Sequence, residues 1–88
     1  MKIKENYLLR DILGTYIVMG TDSDAYRPDV MMTLNDAGKL LWDTLQKDAD
    51  RETLINALLN EYEVDRATAE SDVDRFLARL RKEELILE

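Results

Sequence analysis

At 88 residues, 45% of them hydrophobic, the chain is expected to form a single domain over residues 1–88, with apolar mass for one modest core. It has no Cys and no His, which removes disulfides, thiolate chemistry and imidazole acid–base catalysis, and fits a cytoplasmic setting. The net charge of −7 lies mostly in the second part: residues 1–34 carry four Lys/Arg against five Asp/Glu, residues 35–88 eight against fourteen, a field that repels phosphates and argues against a nucleic-acid partner.

The first six residues are charged and lead into no apolar block, so they do not form a signal peptide. No apolar run approaches the ~18 residues that span a bilayer, and no membrane association is expected. Two β-prone runs follow, Tyr7 to Ile12 and Thr15 to Met19, separated by a turn at Gly14 short enough for an antiparallel hairpin. Gly20-Thr21-Asp22-Ser23-Asp24 is turn chemistry, and the loop continues to Pro28. A third run, Val30-Met31-Met32-Thr33-Leu34, places Val30, Met32 and Leu34 on the face expected to meet the helices. In the second run Tyr16 and Val18 make one face apolar, and Ile17 and Met19 the other. A sheet face open to water has no need of this, so a covering partner, including a second copy in a homodimer, is one expectation.

The extended part stops at Leu34, and a helix begins at once with Asn35 as N-cap and Asp36 in its first turn. Its stripe is Ala37, Leu40, Leu41, Thr44 and Leu45, with Trp42 flanking as a packing residue. After a polar break at Gln46 to Ala49, a second helix follows Asp50 with Leu54, Ile55, Leu58, Leu59 and Tyr62 inward. Asp65 caps a third helix, from about Arg66 to Glu83, with Ala69, Val73, Phe76, Leu77 and Leu80 inward. Leu85-Ile86-Leu87 then packs back or extends as a tail. The fold class is α+β: a winged-helix-like domain of a three-stranded antiparallel sheet followed by three helices.

Four kinds of chemistry can be weighed on these elements. The carboxylates sit at helix starts, as caps, or at helical spacing from Arg66, Arg75 and Arg79, where ion pairs are the simpler account than an acid–base pair. Asp22-Ser23-Asp24 lacks the glycine and the distal Glu of a calcium loop, so neither metal nor cofactor is expected. Helices two and three have helix-turn-helix proportions, but the third begins with one Arg against three acids, which disfavours a DNA-binding regulator. Peptide binding remains: the third strand is a candidate sheet edge, and Asp72, Arg75 and Arg79 surround Phe76 on the third helix, an apolar floor with charged rims.

The order and spacing of several pieces resemble the PqqD-like proteins, named for the peptide chaperone of pyrroloquinoline quinone biosynthesis. The matching pieces are Leu34-Asn35 with Gly38, Leu41-Trp42 with Leu45, Leu54-Ile55 with Leu58-Leu59, Tyr62-Glu63-Val64-Asp65, Asp72-Val73 with Phe76-Leu77 and Leu80, and Leu85-Ile86. The chain departs from the pattern in a long loop from Gly20 to Asp29, in having no Gly at Gln46-Lys47, and in Glu84, where a Gly commonly stands. The resemblance implies a non-catalytic adaptor. Such a protein captures the leader segment of a ribosomally made precursor peptide and presents it to a modifying enzyme, often a radical S-adenosylmethionine enzyme. Carried onto this chain, the leader adds as a strand beside Val30, Met31, Met32, Thr33 and Leu34, against Asp72, Arg75, Phe76 and Arg79, with Arg75 and Arg79 pairing acidic leader residues. The other readings are the DNA-binding regulator and an adaptor for a folded protein partner.

Overall fold

The computed structural model describes residues 1–20 and 32–88. Its elements are β1 (Lys2–Ile3), β2 (Tyr7–Ile12), β3 (Thr15–Gly20), β4 (Met32–Leu34), α1 (Asp36–Thr44), α2 (Arg51–Glu61), α3 (Arg66–Lys82) and β5 (Ile86–Leu87). The expected turn at 21–24, the loop through Pro28, and Val30 and Met31 of the third run lie outside the described residues. The architecture is the expected α+β one, an antiparallel sheet in the order β2-β3-β4 followed by three helices.

The β2–β3 hairpin closes through Leu13 and Gly14, with Ile12 opposite Thr15. Both turn residues have positive φ, 52° and 84°, the signature of a two-residue hairpin turn whose twist matches the strands. The Asp11 carboxylate accepts the Gly14 N–H at 3.0 Å. In β4, Met32 and Leu34 are buried and Thr33 is exposed, so the period-2 alternation holds. Its register against β3 pairs Tyr16 with Leu34, Ile17 with Thr33 and Val18 with Met32.

Each helix starts at the residue its sequence marks. Asn35, Asp50 and Asp65 are extended N-caps whose side chains accept from Gly38, Thr53 and Thr68. Gly38 also permits a close approach: a Cβ there would meet the Leu34 side chain at 3.2 Å and the Asn35 carboxamide oxygen at 3.3 Å, so the first turn of α1 rests directly on β4. The core gathers Val18 from β3, Leu41 and Trp42 from α1 with its C-cap Leu45, Leu54, Ile55 and Leu58 from α2, and all five expected residues of α3.

Two features depart from the sequence reading. Tyr62, expected inward, is the C-cap of α2 and 38% exposed, because the chain leaves the helix with extended dihedrals at that residue. The C-terminal tail does pack back, but as a strand: β5 pairs antiparallel with β1, Lys2 opposite Leu87 and Ile3 opposite Ile86. The turn into β5 is a Schellman motif. The Leu85 N–H reaches the Leu80 carbonyl at 2.9 Å and the Glu84 N–H the Arg81 carbonyl at 3.1 Å, with Glu84 left-handed at φ 58°. This is the position where glycine is usual, and a side chain there costs about 1 kcal/mol in backbone strain.

Candidate functional site

β4 is the last strand of its sheet, with β3 on one side and no strand on the other among the described residues. Along that open side runs α3. Arg79 Nη2 lies 3.5 Å from the Thr33 carbonyl oxygen, which places this carbonyl on the open edge. In an extended strand the N–H and C=O of one residue point the same way, so Thr33 offers both a donor and an acceptor there. These are the groups a further strand would use.

Between β4 and α3 lies a groove of about 660 Å3, open to solvent. Its floor is Leu34, Ala37, Gly38, Leu41 and Phe76, and Asp72, Arg75 and Arg79 stand on its wall, with Gly14 and Thr15 of the hairpin closing one end. A second hollow of about 460 Å3 adjoins it, lined by Ile17, Met32, Thr33, Arg79, Lys82 and Glu83. Thr33 and Arg79 belong to both, so they divide one long trough into two chambers.

The structure therefore brings together Met32, Thr33, Leu34, Asp72, Arg75, Phe76 and Arg79, whereas Val30 and Met31 lie outside the described residues. Their environments differ. Met32, Leu34 and Phe76 are 8%, 7% and 7% exposed, so each is core on one side and groove on the other. Arg75 is exposed and paired with Asp72 on its own helix. Trp42, expected as a half-buried packing residue, does pack and is no part of the groove, but at 2% exposed it lies fully in the core. The charged lining residues not foreseen for the site are Lys82 and Glu83, the next turn of the helix face that carries Asp72, Phe76 and Arg79; extending that spacing of three and four would have found them.

The carboxylates with displaced pKa values owe the shift to structural bonds and salt links. Asp50 and Asp65 are held below the usual carboxylate range by hydrogen bonds from Thr53 and Thr68, and Asp74 by the hydrogen-bonded Arg51 guanidinium. Among the described residues no three carboxylates converge as a metal site, and no helix is long and apolar enough to cross a membrane.

The sequence of residues 16–86, from β3 through the first residue of β5, matches the family model for coenzyme PQQ synthesis protein D (PqqD). The chain belongs to the PqqD family. The matched span contains β4, α1 and α3, the elements that build the trough. Two solved structures are similar to this PqqD-family chain. One is TbiB1 in complex with the TbiA(β) leader peptide, with a TM-score of 0.74 and 27% identity over 97% of this chain and 93% of that one. The other, a lasso peptide synthetase B1 complexed with the leader peptide, has a TM-score of 0.74 and 20% identity over 99% of this chain and 96% of that one, and shares the fold. No curated protein matches the sequence.

Proposed function

We propose that this PqqD-family protein is a non-catalytic peptide chaperone, one recognition domain over residues 1–88. It captures the leader segment of a ribosomally made precursor peptide and presents it to a modifying enzyme in the cytoplasm, a radical S-adenosylmethionine enzyme being the first candidate. The observation that carries this reading is the open edge of β4 facing the trough on α3. A strand added there satisfies the Thr33 N–H and C=O and lays alternate side chains against Leu34 and Phe76. Backbone bonds then supply affinity that does not depend on leader sequence, each worth about 0.5–1.5 kcal/mol net, and the chambers supply selectivity. Family membership and the leader-bound TbiB1 support the same partner class. The net charge of −7 weighs against the DNA-binding alternative.

The test is a titration with the N-terminal segment of a short precursor encoded beside this protein's gene, followed by amide NMR. Shifts are expected at Met32 to Leu34 and along Asp72 to Arg79. Thr33→Pro removes the edge N–H at an edge-strand position, where proline is tolerated. The folded variant should lose binding. Shifts confined to other surfaces, or full affinity in Thr33→Pro, would refute strand addition at β4.

A further inference from the structure

The two chambers differ in what they offer. The larger has an apolar floor, its own wall cation Arg75 is paired with Asp72, and Arg79 stands where the two chambers meet. The smaller holds Arg79 and Lys82 against the single carboxylate of Glu83. Among the described residues neither cation has a carboxylate partner: Arg79 reaches only the Thr33 carbonyl, at a long 3.5 Å. Cations in the last turn of a helix complement its dipole, and Arg81 in the same turn does so while paired with Glu88 at 2.7 Å. Arg79 and Lys82 differ from it in sharing a wall with Met32.

The spacing of the chambers is set by β4. Leu34 lines the larger and Met32 the smaller, and these two residues are one pleat repeat apart. A strand laid along β4 steps in register with it, so two of its side chains that are two residues apart enter the two chambers. The added strand also takes the Thr33 carbonyl as an acceptor, which releases the Arg79 guanidinium to a new partner.

We infer that the site selects peptides carrying a large apolar residue and, two positions away, an Asp or Glu, the apolar side chain seated over Phe76 and the carboxylate held between Arg79 and Lys82. This rests on strand addition at β4 and goes further, since it assigns the acidic contact to Arg79 with Lys82 and withdraws it from Arg75. The order of the two residues along the peptide reports the direction of the bound strand.

The test uses the intact protein and a displayed library of random ten-residue peptides. Selection should enrich an acidic residue at a spacing of two from a large apolar one. In a selected peptide, changing that acid to its amide should weaken binding about fivefold, as loss of an exposed charge pair does. The Arg79→Gln Lys82→Gln variant should bind acid and amide peptides alike. Peptides that bind at β4 with no acid at this spacing, or an amide penalty undiminished in the double variant, overturn the inference and leave the leader-binding reading standing. Failure to enrich any peptide overturns both.

Discussion

Helix α3 has two long sides, and they are built differently. Toward α2, cations and acids are matched across the helix pair: Arg51 of α2 grips both oxygens of Asp74 at 2.8 and 3.0 Å, and Arg66 of α3 bonds Glu52 of α2 at 2.7 Å while also holding Glu70 of its own helix at 2.9 Å. Beneath them Leu54, Ile55 and Leu58 are buried with Val73, Leu77 and Leu80. Toward β4 the same helix meets no charged partner on the facing element among the described residues. Arg75 pairs with Asp72 on its own helix, Arg79 reaches a backbone carbonyl, and a trough lies where a further layer would stand. Individually, exposed ion pairs add little stability, so their value here lies in what they reveal. A surface whose charges are satisfied from the opposite element is finished; one whose charges fall back on local partners has room for another chain.

The comparison is most exposed at its hydrophobic base. Leu54 on α2 is fully buried, and Leu54→Ala should cost about 2–5 kcal/mol by chemical denaturation. A loss below ~1 kcal/mol would mean that the α2 side is no better packed than the groove side. Phe76 probes the boundary, since it is buried yet lines the trough. Phe76→Leu keeps an apolar side chain of similar reach, so stability should change by less than ~1.5 kcal/mol. Peptide affinity, measured by calorimetry, should fall about tenfold, because an aromatic anchor at the centre of a contact carries a large share of its energy. The opposite split, with stability lost and affinity kept, would move Phe76 to the finished side.

How far each side could be read in advance follows the same division. The α2–α3 side was legible because its signals are local and repeated: Asp50 and Asp65 sit directly before helical stripes, and Ala69, Val73, Phe76, Leu77 and Leu80 recur at spacings of three and four. The two faces of β4 were legible from Thr33 alternating with Met32 and Leu34, and its place at a sheet edge from a hairpin that can fill only one of its sides. The ribbon of β1 with β5 was not, since two residues per strand make no period and the partners stand at opposite ends of the chain. Tyr62 misled because its spacing from Leu58 continues the stripe one residue beyond the last helical turn. Lys82 was missed as a groove residue because a basic residue near a helix C-terminus already has an ordinary explanation.

The hairpin turn at the end of the trough offers a smaller effect. Leu13 is left-handed at φ 52° and fully exposed, so it carries backbone strain with no packing in return. Asn suits this turn position better, and Leu13→Asn should raise stability by about 1 kcal/mol in thermal or denaturant melts. Gly14, the next residue, lines the groove while Leu13 does not, so peptide affinity should stay unchanged. A changed affinity would extend the open side around the turn.

The smallest effect separates the two sides by proton uptake. Asp74 is held below the usual carboxylate range by its hydrogen bond with Arg51, and Asp50 and Asp65 by their bonds from the side chains and backbone N–H groups of Thr53 and Thr68. A carboxylate whose pKa is lower in the folded chain than in the unfolded one stabilises the fold at pH values above its unfolded pKa. That contribution is lost as pH falls through the folded pKa. Stability should therefore hold from neutrality down to about pH 4 and decline below it. In an Asp50→Asn Asp65→Asn Asp74→Asn variant, asparagine still caps α2 and α3 but cannot be protonated in this range, so the acid slope should flatten. Arg79→Gln removes a bond to a carbonyl, which has no proton to gain in this range, and should leave the slope as it is. Denaturation midpoints from pH 7 to about 2.5 for the three proteins decide the matter: if Arg79→Gln flattens the slope as much as the triple variant does, acid sensitivity does not distinguish the α2 side of α3 from the β4 side.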